Sequence, residues 1–374
     1  MPLAVESPVP EVSATHPGEE IEGLDPESQS WGDYPLDEVL IRQQNRTIHD
    51  VLRRIGKGGY VMDPEFQRDF IWPEDKQSKL VESVMMRIPL PVFYLAEDDE
   101  GRMVVVDGLQ RISTFVRFLN GDLALRLPDR PDLDRKHFSD LPAVLQNRVE
   151  DANLIFYAID STVPERVRLD IFERVNSGVP LTRQQMRNSL YQGPGTSFVK
   201  EEAKTDVFLT ATGRSLNSRT MRDREFVNRF CAFQTLDLSD YRGDMDAFLA
   251  ESLRRMNHME ARHLSDLSLE FRRSLRNNSR LFGKHAFRKH GPQQERRGVL
   301  NASLWDVLST GLSRYGEMQV AERAPAVREG LQDLFGDEEF NRAITYGPND
   351  ARKVRYRFAT MERLLEETIG DPRA

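Results

Sequence analysis

Every stretch of this sequence with clear strand character lies before Pro164, and beyond it only helical patterns follow. That asymmetry restricts the fold to a small mixed sheet-and-helix domain followed by an all-helical one, an α+β class. In the first half, Val92–Ala96 and Met103–Val106 are short apolar runs joined by a turn at Asp98–Gly101, and they are expected to pair as a hairpin. Asn153–Ile159 reads as a central strand and Leu123–Leu127 as a further one. Besides the helix that follows Met103–Val106, three fall among them. Thr47 is an N-cap ahead of Val51, Leu52 and Ile55; Pro73 opens a second bearing Leu80, Val81, Val84 and Met85; the third spans Pro142–Glu150. The helical half runs through Val167–Val175, Leu181–Tyr191, Arg222–Leu236, Met245–Met256, Leu264–Leu275, Ala302–Tyr315, Ala324–Phe335 and Arg352–Ile369, with no fixed-period repeat. The domain reading is therefore 1–35, 36–162 and 163–374.

Residues 1–35 hold six prolines and few large apolar groups, so they are expected to form a disordered acidic tail. The tail also distorts the net charge of −8: residues 1–39 contain ten Asp or Glu and no Lys or Arg, which leaves about +2 for the rest.

Several function classes drop out. The apolar runs are too short to span a bilayer, and the N-terminus lacks a basic region followed by an apolar core, so a cytoplasmic location is expected. Cys231 is the single cysteine among 374 residues, which excludes an internal disulfide or a thiolate metal cluster. No Walker-type phosphate loop and no C-x-x-C or H-E-x-x-H string occurs, so no metal site is assigned.

What remains is chemistry for anions. Met103–Val106, the Asp107-Gly108 turn and a helix striped by Ile112, Phe115, Val116 and Leu119 make a strand–turn–helix unit. Gln110 and Arg111 lie in that helix's first turn. Free backbone N–H groups and the helix dipole favour a phosphate there, and a guanidinium adds a bidentate fork. The alternative is that Asp107 caps the helix and Arg111 lies on the surface. Gln67-Arg68, just ahead of Trp72, is a second loop-to-helix arginine that would complete a polyphosphate clamp. A third feature is Phe271–Arg297, with nine Lys or Arg against one acid. Arg272, Arg273, Arg276, Arg280, Lys284, Arg288 and Lys289 read either as a stripe for nucleic acid or as a solvated helix face.

Taken in order, Gln67-Arg68, Trp72, Gln77, Leu80, Pro89-Leu90-Pro91 and Asp107-Gly108-Leu109-Gln110-Arg111 resemble the N-terminal domain of GmrSD-type restriction endonucleases, a branch of the ParB/sulfiredoxin-like superfamily. Phe172–Gly178 with Leu181 and Arg187-Asn188 resembles its second block, and Arg222–Phe230 its third. The resemblance implies a ParB-like core followed by a helical bundle. It further implies that Asp107, Gly108, Gln110 and Arg111 hold nucleotide phosphates, with Gln67 and Arg68 as a second wall and Asn176 as a polar group from the helical half. Asp107, Gln110 and Arg111 are then the candidate catalytic residues, and the expected cofactor is a nucleoside triphosphate with Mg²⁺. The family more often has glutamine where this chain has Leu109, so binding is implied more firmly than hydrolysis. The HNH-like nuclease domain of longer relatives is not found in these residues, so cleavage is expected from a separately encoded nuclease or effector. The leading expectation is a nucleotide-binding regulatory protein of a restriction or anti-phage defence system, acting on or sensing DNA, with oligomerisation open. A non-enzymatic DNA- or protein-binding module with a vestigial phosphate turn is the alternative, and a ParB-like nuclease a third reading.

Overall fold

Five strands form a mixed sheet in the order β3-β7-β5-β6-β4, where β3 is Ile41–Thr47, β4 Tyr60–Val61, β5 Phe93–Glu97, β6 Met103–Asp107 and β7 Asn153–Ile159. The structure, a computed structural model, describes residues 12–14, 20–24, 41–62, 72–98, 100–175, 182–291 and 294–371. The chain divides into two compact units, Asp33–Leu190 and Met1–Gly32 with Tyr191–Ala374.

In the first unit the expected hairpin forms: β5 and β6 pair antiparallel through the turn at Asp98–Gly101. β7 is interior, antiparallel to β3 and parallel to β5. One sheet face is covered by α1 (Ile48–Gly56), α2 (Glu74–Met85), α3 (Leu109–Leu119) and α4 (Ala143–Glu150). Val81, Ile112, Phe115 and Phe118 pack there on Phe93, Leu95 and Phe156. Thr47 caps α1 as expected, its hydroxyl accepting from the Asp50 amide. Leu123–Leu127 is not a strand: its three leucines are buried, but its backbone bonds to the Arg130–Lys136 turn region and Ser78 and not to a neighbouring strand. The helices α5 (Glu165–Val175) and α6 (Arg183–Leu190) contact β6 and cluster with this unit, so the division falls after Leu190, whereas the end of strand signals pointed to 162.

The second unit is helical: α7 (Pro194–Ala203), α8 (Asp206–Thr212), α9 (Arg222–Thr235), α10 (Met245–Asn257), α11 (Ala261–Phe282), α12 (Ala302–Leu312), α13 (Glu317–Glu322), α14 (Ala324–Gly336), α15 (Glu338–Thr345) and α16 (Ala351–Ile369). Trp305 sits at its centre, ringed by Phe208, Phe226, Phe271 and Phe287. Beside it Asp306 holds Arg229 through two bonds of 2.8 and 2.7 Å and Arg357 through a third, all three side chains buried. Two stretches depart from expectation. Leu300–Asn301 forms a short strand, β8, within the helical half. Val12–Ala14 (β1) and Glu20–Glu22 (β2) join it in a three-stranded sheet, so at Glu20–Leu24 the chain is not the solvated tail its composition suggests. The reason is local: Ile21 and Leu24 are apolar residues in an otherwise acidic stretch, and both are buried.

Candidate functional site

The Asp107–Arg111 turn is built as the strand–turn–helix pattern requires. β6 ends at Asp107, Gly108 takes a left-handed conformation with φ of 96°, and α3 begins at Leu109. Glycine is needed here for two reasons. Side chains rarely adopt that φ, and a Cβ would sit 2.3 Å from Cδ1 of Phe93. No side chain among the described residues caps α3, so its first-turn amides keep the anion preference of a helix N-terminus.

Arg111 does not lie as the phosphate clamp requires. Its side chain turns back into the unit, leaving the residue 8% exposed. Nη1 donates to the Pro91 carbonyl, while Nη2 donates to the Val92 carbonyl at 3.1 Å and to Asp107 Oδ2 at 2.6 Å. The guanidinium also stacks on Phe93, 4.2 Å from the ring centroid. Burial lowers its pKa, and the Asp107 carboxylate opposes that shift. Arg111 therefore ties the turn to the end of the Pro89-Leu90-Pro91 loop. Its role is positioning, and the expectation that it reaches outward to a ligand is corrected accordingly. Asp107 does not cap the helix; it anchors Arg111 and remains about a third exposed.

Gln110 has a different task. Its Oε1 accepts from the Trp72 amide at 3.1 Å, and Gln77 Nε2 donates to the Trp72 carbonyl. Arg117 holds Gln77 Oε1 at 2.8 Å. The two glutamines thus clamp both sides of the Trp72 backbone, four residues after Arg68, against the first turn of α3. Sequence reasoning missed the parts played by Gln77 and Arg117. The available signal was a glutamine at a position in register with Leu80, Val81 and Val84 on the apolar face of α2. Gln67, Arg68 and Asn176 lie outside the described residues. Leu109 packs against the core of the unit. Among the described residues no group of three His, Cys, Asp or Glu side chains could hold a metal ion. A groove of about 560 Å³ lies on the same unit, lined by Ile88, Leu90, Val144 and Arg148, and none of the candidate site residues lines it.

The basic stretch resolves into internal bonds. Arg272 pairs with Glu202 through Nε and Nη2, and Arg276 with Glu317 at 2.6 Å. Arg273 donates to the Ser313 carbonyl and Arg280 to that of Glu317. Arg288 is 2% exposed and donates to the carbonyls of Thr212, Ala286 and Gly298; burial and the neighbouring Arg297 charge lower its pKa to about 10. Lys289 pairs with Glu22 at 2.7 Å. As a nucleic-acid stripe the assignment of Arg288 is corrected by its burial. Arg272 and Lys289 spend their charge within the unit. Arg276, Arg280 and Lys284 are exposed at four-residue spacing.

Residues 48–192 match the family model described as the GmrSD restriction endonuclease N-terminal domain. The match bears out the motif resemblance over that segment, taking in the first and second blocks and ending before Arg222–Phe230. No curated protein matches the chain. Among the described residues no helix is long and apolar enough to cross a membrane.

Proposed function

With residues 48–192 matched to a restriction endonuclease's N-terminal domain, we propose that this chain is a nucleotide-binding regulatory component of a restriction or defence system. The observation that carries the reading is the uncapped first turn of α3, which opens from left-handed Gly108 and is held rigid by the Arg111–Asp107–Pro91 bonds. A phosphate fits that donor set: the amides supply hydrogen bonds without moving, and the Asp107 charge is already balanced by Arg111. By the same resemblance Arg68 and Gln67 would supply a second wall for the phosphates, and Asn176 a polar contact. Mg²⁺ would arrive with the triphosphate, and the exposed side of the Asp107 carboxylate is its nearest acidic neighbour.

The chemistry supports binding over turnover. Leu109 is occupied in packing and offers no group to orient water, so the nucleotide acts as a signal to a separately encoded nuclease. Thermal denaturation with each of the four NTPs and Mg²⁺ tests this: one of them raises the melting temperature, while a malachite-green assay finds no phosphate release. No shift with any nucleotide would favour the second reading, a DNA- or protein-binding module with a vestigial turn, which the internal engagement of Arg111 supports. Where DNA is the sensed ligand, Arg276, Arg280 and Lys284 are its contacts.

A further inference from the structure

The second unit carries a slot that its own N-terminal strand fills. β2 lies parallel to β8, with Ile21 opposite Leu300 and Glu22 opposite Asn301. Ile21 is buried, and the Glu22 carboxylate is held at both oxygens, by Lys289 Nζ at 2.7 Å and Asn301 Nδ2 at 3.1 Å. Gly23 then turns with φ of 75°, and a Cβ there would lie 3.0 Å from the Ile344 carbonyl oxygen. Leu24 is buried beyond it. The slot thus reads a short pattern: a β-branched apolar residue, a carboxylate, a glycine and a second apolar residue.

Two facts mark this strand as a ligand more than a wall of the unit. It pairs with β8 at two register positions only, and its ion pair is made to Lys289, 267 residues away in sequence. We propose that the slot formed by β8, Lys289 and the end of α15 is a strand-docking site for an extended acidic peptide. The chain's own Glu20–Leu24 is its resident, releasable ligand. Parallel strand addition supplies the backbone bonds, and Lys289 with Asn301 supplies the selection for a carboxylate. A partner presenting the same pattern displaces the strand and exchanges a contact within one chain for one between proteins.

The test uses the full chain carrying Ile21→Asp, which empties the slot, and a fluorescein-labelled peptide of residues 18–26 as probe. Fluorescence anisotropy is expected to show saturable binding to the variant and little to the wild type. Adding Lys289→Glu weakens that binding at least about tenfold, since it replaces one member of a partly buried charge pair by a like charge. A peptide with Glu22→Lys binds the Ile21→Asp chain poorly and regains affinity for the Lys289→Glu form. Hydrogen exchange of the wild type supplies an independent reading: amides 21–24 exchange well ahead of those in α12. A folded Ile21→Asp chain that ignores the peptide, or equal peptide binding by the wild type, overturns the proposal. So does protection of amides 21–24 that is lost only with global unfolding.

Discussion

Replacing Arg111 by alanine separates a clamp from a ligand arm. The substitution removes two charge-assisted bonds to backbone carbonyls, worth about 1.5 kcal/mol each, and leaves Pro91 and Val92 without those donors. The Asp107 ion pair is partly exposed and adds about 1 kcal/mol. The sheet unit should therefore lose about 4 kcal/mol. At an m value of about 2 kcal/mol/M, its urea midpoint falls by about 2 M. Because the two units can unfold separately, the assay is pulse hydrogen exchange along a urea series, read in peptides spanning β6 and α3. Arg111→Lys keeps the charge but not the planar fork, and is expected to lose most of the same stability. An Arg111→Ala chain whose midpoint is unmoved, yet which no longer binds nucleotide, would refute the clamp and restore the guanidinium as a direct phosphate ligand.

Four further outcomes are expected. Gly108→Ala should destabilise the sheet unit by about 2 kcal/mol or more in the same assay, from strain at positive φ and overlap with Phe93. Asp306→Asn leaves Arg229 and Arg357 buried with reduced compensation and should cost about 3 kcal/mol or more, seen as a lowered calorimetric melting temperature. Burial, with the nearby His290, Lys284 and Arg288 charges, lowers the pKa of His285 below 6.5. The unfolded chain then binds the proton more readily, so stability is full above pH 6.5 and falls as pH drops toward the depressed folded value; His285→Gln should flatten that part of a melting-temperature profile. Cys231 is wholly buried and its thiol pKa is raised by that burial and by Glu202, so a disulfide reagent should modify it only after denaturation.

How much was legible in the sequence depended on periodicity and burial. β5, β6, β7 and the helices that cover them were readable because their apolar residues recur at strand or helix spacing. β3 was not: Ile41–Thr47 is largely polar, an edge strand held by backbone pairing to β7, and its composition resembles a loop. Leu123–Leu127 failed in the opposite sense, because its alternate burial is met by turn contacts and not by a neighbouring strand. At the site, Gly108 was identifiable from the turn alone, but the direction of Arg111 was not. A guanidinium four residues after an aspartate is equally consistent with reaching out or folding back, and only the position of the Pro91 and Val92 carbonyls decides it. The internal bonds of the basic run were hidden for a related reason: the acids that pair with it, Glu202, Glu317 and Glu22, lie far away in sequence.

The most direct measurement is calorimetric titration of each NTP with Mg²⁺ into the wild type and into Arg68→Ala. One nucleotide should give a saturable one-site isotherm with the wild type, and that isotherm should disappear in the variant while its melting temperature without nucleotide is unchanged. Heats indistinguishable from dilution for every nucleotide would contradict a phosphate site at the Asp107–Arg111 turn, and identical isotherms for both chains would remove Arg68 from it.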